Sequence, residues 1–229
     1  KLAWEQKADA IEGDFHLTRD KRIVCIHDPT TGKYASKNLT VRKTKLVDLQ
    51  ALDVGSWKSP DFANARIPTL AQVLATVPSD KKLYIEIKSS PRIVRHLLKE
   101  IDASAIDPEQ LVIIAFSGRV IKKIKSQRPT LKAVLLATPR YRAKARTLEP
   151  TAEQLLAALK RTGADGISLY AHPGIDTAYV APFHEAGYEL HTWTIDDPAA
   201  ARKWIDLGAH SLTTNQPGKL RHALTHASP

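Results

Sequence analysis

Short apolar runs alternate with amphipathic stretches along most of the chain. Apolar runs of about four to eight residues, rich in Val and Ile and bounded by turn residues, predict buried strands. The predicted strands are residues 8–15, 23–26, 82–88, 111–116, 131–136, 166–170, 188–195 and 210–214.

The stretches between these runs carry apolar residues at helical spacing. Leu70, Val73, Leu74 and Val77 share one face of a helix that begins near Pro68. Further helices are predicted at residues 91–101, 118–127, 151–162, 176–186 and 198–207, with glycines at positions 163, 187 and 208 placed to end three of them. Repeated strand–helix units of this length predict a parallel sheet, either closed or open.

One segment, residues 30–66, departs from this alternation. It has little apolar periodicity and no clear helix. Long segments of this kind within a compact domain are commonly binding loops. We therefore predict a functional insertion at the rim of the fold, within a single domain that spans residues 1–229.

The composition narrows the classes of function. With 229 residues, 43% of them hydrophobic, the chain can bury its own core, and the single cysteine, Cys25, excludes an internal disulfide. No apolar stretch approaches the roughly 20 residues of a membrane span. The formal net charge of +10 suits an anionic ligand, but the Lys and Arg residues are scattered and lack interleaved aromatic residues. This distribution disfavours nucleic acid as a partner.

Charged residues alternate with apolar ones on two of the predicted strands. Glu12 and Asp14 are two residues apart, so both side chains leave the same face of the first strand. Tyr84, Glu86 and Lys88 share a face of the third strand in the same way. Three carboxylates and a lysine that converge suit a hard divalent cation and an anionic ligand. A buried ion-pair network is the alternative, but two such strands together favour the metal site.

His27 directly follows the second predicted strand and is succeeded by Asp28 and Pro29. A histidine at a strand end can exchange protons near neutral pH. On spacing alone, however, a turn histidine beside a capping Asp28 explains the motif better.

Several segments, taken in order, are similar to the glycerophosphodiester phosphodiesterase family, a member of the PLC-like phosphodiesterase superfamily. These segments are ADAIEGD at 8–14, LTRD at 17–20, IVCIHD at 23–28, IPTL at 67–70, IEIK at 85–88, WTI at 193–195 and TTNQP at 213–217. They span nearly the whole chain, and the ordered set is far more specific than any one segment.

The resemblance implies a TIM barrel with the insertion after its second strand. It implies metal-dependent hydrolysis of glycerophosphodiesters to an alcohol and sn-glycerol 3-phosphate, with the three strand carboxylates binding Ca²⁺ or Mg²⁺. It also assigns a phosphate contact to Lys88, acid/base catalysis to His27, and contact with the glycerol carbons to Trp193. The expected partner is thus a small glycerophosphodiester.

The sequence departs from the family pattern in three places. The family's N-terminal His-Arg-Gly segment, which carries the second acid/base histidine, is absent, while Asn215 replaces an aspartate and Ala115 a serine. With residues 23–26 assigned to a rim hairpin, only seven barrel strands remain, and the sequence contains no methionine. We therefore expect the sequence to be incomplete, with the first barrel strand and the second histidine upstream of Lys1.

Two other functions stay open. A lysophospholipase-D-like or phosphoinositide phosphodiesterase would use the same chemistry, although small water-soluble diesters are favoured because no apolar rim patch is evident. An inactive barrel that binds a phosphorylated ligand would explain the absent histidine, but the presence of all the other motif residues argues against it. The sequence leaves open the head group, the oligomeric state and the compartment, whether cytoplasmic or periplasmic/secreted.

Overall fold

The structure is a computed structural model that describes residues 2–144 and 147–226. The chain forms two compact units, one of Glu12–Leu111 and one of Lys1–Ile11 with Val112–Pro229. They are called the 12–111 unit and the 112–229 unit below. Among the described residues, no helix is long and apolar enough to cross a membrane.

The strands follow the predicted alternation closely. They are β1 (Ala10–Leu17), β2 (Ile23–Cys25), β3 (Lys82–Ile87), β4 (Leu111–Ala115), β5 (Lys132–Ala137), β6 (Arg140–Arg142), β7 (Thr147–Glu149), β8 (Gly166–Tyr170), β9 (Glu189–Trp193) and β10 (Ser211–Leu212). All eight predicted strands are confirmed. The β6–β7 hairpin was not predicted, because the three side chains of β6 are all exposed and give no apolar alternation.

The helices fill the intervals between the strands. They are α1 (Leu2–Glu5), α2 (Leu46–Gln50), α3 (Leu70–Leu74), α4 (Val94–Asp102), α5 (Gly118–Gln127), α6 (Ala152–Thr162), α7 (Thr177–Glu185), α8 (Pro198–Asp206) and α9 (Pro217–Thr225), with 3₁₀ turns at Val41–Lys43, Pro60–Phe62, Pro91–Ile93 and Pro108–Gln110. The six predicted helices are confirmed, and α1, α2 and α9 are additional.

In the 12–111 unit, the two strands that carry the paired charges are neighbours. β1 runs antiparallel to β2, with Phe15 opposite Cys25, and β3 lies on the other side of β1. The backbone N–H of Lys88 donates to the carbonyl of Phe15 at 3.0 Å, which extends this pairing past the end of β3. The predicted rim hairpin at residues 23–26 is therefore confirmed. The charged side chains of β1 and β3 therefore project from adjacent strands.

The segment 30–66 is more ordered than its sequence suggested. The prediction that it lacks a helix is wrong, because α2 lies within it. Val41 and Leu49 of this segment, and Ile67 directly after it, pack with Val24 and Ile26 in one buried cluster. These residues come from separate turns, so they show no periodicity in the sequence although they meet in space. The insertion is thus anchored to the strand that precedes His27.

In the 112–229 unit, five parallel strands lie in the order β10-β9-β8-β5-β4. Thr151 and Gln154 form the reciprocal hydrogen bonds of a capping box at the start of α6. Gly163, Gly187 and Gly208 adopt φ angles of 70°, 75° and 80°. Because such angles favour glycine, these three residues end their helices as predicted.

Candidate metal and catalytic site

Three carboxylates converge in the 12–111 unit. Glu12 and Asp14 leave the same face of β1, and Glu86 projects from the neighbouring β3. One ligand atom from each side chain can be chosen so that all three lie within 4.8 Å of one another. The alternation of strand side chains explains this geometry, because residues two apart share a face. The predicted convergence of the three carboxylates is therefore observed.

Lys88 lies among these carboxylates. Its Nζ is 3.1 Å from Oδ1 of Asp14 and 2.7 Å from Oε1 of Glu86. The ion-pair network considered from the sequence thus exists, but one lysine faces three acidic groups. The cluster retains a surplus of negative charge when all three carboxylates are ionised.

The crowding of acidic groups changes their protonation. Withdrawal from water around the carboxyl group, together with the nearby charges of Asp14 and Glu86, raises the pKa of Glu12 to about 8, although the residue as a whole is exposed. Burial also raises the pKa of Glu86, and the contact with Lys88 opposes this shift. For Lys88, burial would lower the pKa, but Glu86 and Asp14 outweigh it and raise the pKa. The cluster holds its full negative charge only with difficulty.

This donor set fits a divalent cation. Hard cations such as Ca²⁺ and Mg²⁺ prefer carboxylate oxygens, and a bound ion would relieve the repulsion that raises the carboxyl pKa values. Glu12, Asp14 and Glu86 are the residues that would hold it. The three side chains that the described part of the chain brings together offer oxygen donors, which disfavours metals that select sulfur ligands.

His27 follows β2 and its side chain is 65% exposed. Its Nδ1 lies 2.6 Å from Oδ1 of Asp28. Hydrogen bonds from His27 and from Tyr34 lower the pKa of Asp28. Because Asp28 engages Nδ1, the Nε2 atom is the ring nitrogen positioned to exchange a proton with a ligand. Asp28 therefore orients an exposed histidine, and the acid/base role of His27 stays a prediction.

Two residues near the site were not predicted. His16 is 7% exposed, shares the carboxylate-bearing face of β1, and places Nε2 at 3.3 Å from the carbonyl oxygen of His27. Burial lowers the pKa of His16, which favours a neutral ring that donates to this carbonyl. Tyr34, from the insertion, packs edge-to-face on Trp57 with ring centroids 5.5 Å apart. The position of His16 in the strand could have indicated its role, whereas nothing local indicated that of Tyr34.

Trp193, the predicted glycerol contact, ends β9 in the 112–229 unit. Its ring packs edge-to-face against Phe116 at 5.7 Å and Tyr170 at 5.4 Å between centroids. Phe116 and Tyr170 are 47% and 42% exposed. All three rings therefore lie at the carboxyl ends of parallel strands, which is where TIM barrels bind their ligands. The contact of Trp193 with glycerol stays a prediction.

The model of the glycerophosphoryl diester phosphodiesterase family matches residues 1–219. A glycerophosphodiester phosphodiesterase of Caldanaerobacter subterraneus is 30% identical, over 96% of this chain and 87% of its own length. A protein of the same description from Bacillus subtilis is 25% identical, over 95% of this chain and 77% of its own length.

Solved structures give the same result for the fold. An Oleispira antarctica phosphodiesterase in complex with the product sn-glycerol-3-phosphate has a TM-score of 0.84 at 21% identity, and the match covers 98% of this chain and 88% of that protein. A glycerophosphodiester phosphodiesterase of Thermotoga maritima has a TM-score of 0.73 at 17% identity, covering 96% and 87%. The predicted α/β fold class, that of the TIM-barrel phosphodiesterases, is confirmed, and the chain belongs to the glycerophosphoryl diester phosphodiesterase family.

Proposed function

We propose that this protein hydrolyses glycerophosphodiesters to an alcohol and sn-glycerol 3-phosphate in a metal-dependent reaction. The observation that carries the proposal is the convergence of Glu12, Asp14 and Glu86 around Lys88. A phosphodiester is anionic and unreactive, so its hydrolysis requires charge neutralisation at the phosphoryl oxygens. The family membership supports the substrate class, and the sn-glycerol-3-phosphate bound to the Oleispira antarctica relative supports the identity of the phosphate-bearing product.

The three carboxylates would hold Ca²⁺ or Mg²⁺. When bound, such an ion neutralises phosphoryl charge and makes a hydroxyl group more acidic. Lys88 approaches the same carboxylates, so its ammonium group is placed to bind a phosphoryl oxygen of a substrate held there. The lysine would then exchange part of its pairing with Asp14 and Glu86 for pairing with the substrate.

His27 would act as the acid/base residue. Asp28 fixes Nδ1, so Nε2 either accepts the proton of the attacking hydroxyl or donates a proton to the leaving oxygen. The family resemblance implies a second histidine for the complementary transfer. Trp193 would pack against the glycerol carbons.

Release of sn-glycerol 3-phosphate from glycerophosphocholine tests the proposal directly. The full-length protein is assayed with EDTA and again after addition of Ca²⁺ or Mg²⁺. We expect activity only with metal, and less activity on lysophosphatidylcholine than on glycerophosphocholine. Preference for the lysolipid would indicate the lysophospholipase-D-like function. Binding of glycerol 3-phosphate without turnover of either diester in any metal would favour the inactive barrel and contradict the proposal.

A further inference from the structure

A second concave region lies in the 12–111 unit, between helices α3 and α4. It is a half-open groove of about 720 Å³. Its lining residues include neither His27 nor any member of the carboxylate cluster. Ligand sites commonly have volumes of roughly 300–1,000 Å³, so the groove is large enough for a small organic molecule.

The floor and walls of the groove are apolar. The apolar lining residues are Ala71, Leu74, Ala75, Val77, Ala103, Ala105 and Ile106. Four of them are alanines, whose short side chains leave the space between the two helices unfilled. Such a surface gains free energy when it is covered by hydrocarbon.

One part of the groove is cationic. Lys21 and Arg22, from the turn between β1 and β2, line it together with Lys99 on α4. Glu100 is the one acidic lining residue, and burial raises its pKa, a shift that the charge of Arg22 and the backbone of Ile23 partly oppose. The three cationic lining residues, Lys21, Arg22 and Lys99, therefore outnumber the one acidic lining residue.

The positive charges of this part of the groove also act on His96. It lines the groove one turn before Lys99, and its Nε2 accepts a hydrogen bond from Nε of Arg95 at 3.0 Å. Burial lowers its pKa, and the charges of Arg95, Lys21 and Lys99 lower it further. The cations thus lie close enough together to act on one imidazole, and an anion placed among them would be attracted by all of them.

The charges and the apolar surface are arranged in sequence along α4. His96 lies in the first turn of α4 and Lys99 in its last turn, whereas Ala103 and Ile106 lie at and beyond its end. A ligand in the groove can therefore place a charged end near Lys99 and a hydrocarbon chain toward Ile106.

We propose that this groove binds a single-chain amphiphile with an anionic head group. Lys21 and Lys99 pair with the head group, and the alkyl chain covers the alanine-rich floor. The charge complementarity selects an anionic amphiphile over a neutral or cationic one. This site is independent of the proposed phosphodiesterase site.

Isothermal titration calorimetry with decyl phosphate, below its micelle concentration, tests the proposal. We expect binding of decyl phosphate, weaker binding of octyl phosphate, and no detectable binding of inorganic phosphate or decyltrimethylammonium. Burial of a methylene is worth roughly fourfold in affinity, so the two missing methylenes of octyl phosphate should cost about fifteenfold. Equal binding of decyl maltoside would show that the cations play no part and would overturn the proposal.

Variants locate the bound molecule. Lys99→Glu and Lys21→Glu should each weaken decyl phosphate binding at least about tenfold, whereas Lys43→Glu, an equal charge change at an exposed position outside the groove, should change it less than about twofold. Ala71→Phe should also weaken binding by filling the groove. All four positions are exposed, and thermal melts verify that each variant folds.

A Lys88→Gln variant distinguishes decyl phosphate binding in this groove from binding at the catalytic site. Decyl phosphate affinity should be unchanged in Lys88→Gln, while diester hydrolysis falls. If Lys88→Gln abolishes binding and the groove variants do not, the amphiphile binds at the carboxylate cluster and the groove proposal is wrong. That outcome would leave the proposed hydrolytic function intact.

Discussion

Two clusters of charged residues, each containing a lysine, lie on the strands of this protein. Their positive and negative charges are balanced differently. In the 12–111 unit, Lys88 faces three carboxylates, and the pKa of Glu12 is raised to about 8. In the 112–229 unit, Glu189 contacts Lys132 and lies 3.2 Å from Nε2 of His191. Hydrogen bonds from His191 and Lys132 lower the pKa of Glu189 to about 2.

The direction of the carboxyl pKa shift distinguishes the two clusters. Glu189 lies between two basic groups, so its ionised form is already satisfied by the protein. The carboxylates around Lys88 repel one another, so their full ionisation requires an additional cation. Structural ion pairs and functional sites can both shift pKa values, but only a surplus of like charge calls for a ligand of opposite charge.

Glu86→Gln should have the largest effect. It removes one ligand from the under-neutralised cluster, and the transition-state stabilisation by a bound ion amounts to several kcal/mol, so diester hydrolysis should fall by roughly 10³-fold or more. Steady-state hydrolysis of glycerophosphocholine measures the loss. The thermal midpoint without metal should not fall, because a repelling charge has been removed.

Glu189→Gln is the matched control for that variant. It should leave hydrolysis nearly unchanged and lower the free energy of unfolding by roughly 1–3 kcal/mol, since Lys132 and His191 lose their partner. Urea unfolding measures this change. If Glu189→Gln reduced turnover as strongly as Glu86→Gln in a folded protein, the division between the two clusters would be wrong.

Replacing the histidine beside each cluster should give the same contrast, with loss of activity at one cluster and loss of stability at the other. His27→Ala should lower kcat by roughly 10²–10⁴-fold with little change in stability, because an exposed proton-transfer group is lost. His191→Ala should instead destabilise the fold, because His191 is 4% exposed and also contacts Ser211 through Nδ1 at 2.8 Å. Metal affinity of His27→Ala, measured by calorimetry, should match that of the unmodified protein. Near-normal turnover of His27→Ala would exclude it from the mechanism.

The smallest expected effect is on the pH dependence of the thermal midpoint. Glu12 keeps its proton in the folded protein up to about pH 8, whereas the unfolded chain loses it near pH 4.5. In EDTA, its contribution therefore makes the thermal midpoint decline as pH rises from 4.5 to 8. Glu189, with a pKa near 2, contributes stability that is lost as pH falls from 4.5 towards 2.

Two variants identify the residue that causes each of these pH slopes. Glu12→Gln should flatten the decline between pH 4.5 and 8 and leave the acid limb in place, while Glu189→Gln should do the reverse. Saturating Ca²⁺ or Mg²⁺ should also flatten the first slope, because metal binding displaces the proton. Scanning calorimetry across pH provides the measurement, and identical profiles for both variants would contradict the assigned pKa shifts.

The sequence predicted those parts of the molecule that depend on local pattern. Glu12, Asp14 and Glu86 could be placed on common faces because strand alternation is local, and the sequential motifs indicated the family. The contact of Tyr34 with Asp28 could not be predicted, because it depends on how the insertion folds back. α2 was missed because Leu49 is its only buried residue and its apolar partners come from other segments.

The anchoring of the insertion has a consequence for the exchange of segments between relatives. Val41, Leu49 and Ile67 share one buried cluster with Val24 and Ile26, on the strand that leads to His27. Recombination that replaces residues 30–66 without matching that cluster would leave β2 with an uncovered apolar face. The hairpin and its loop are therefore expected to be inherited as one module, and changes of specificity to arise in the exposed parts of the loop.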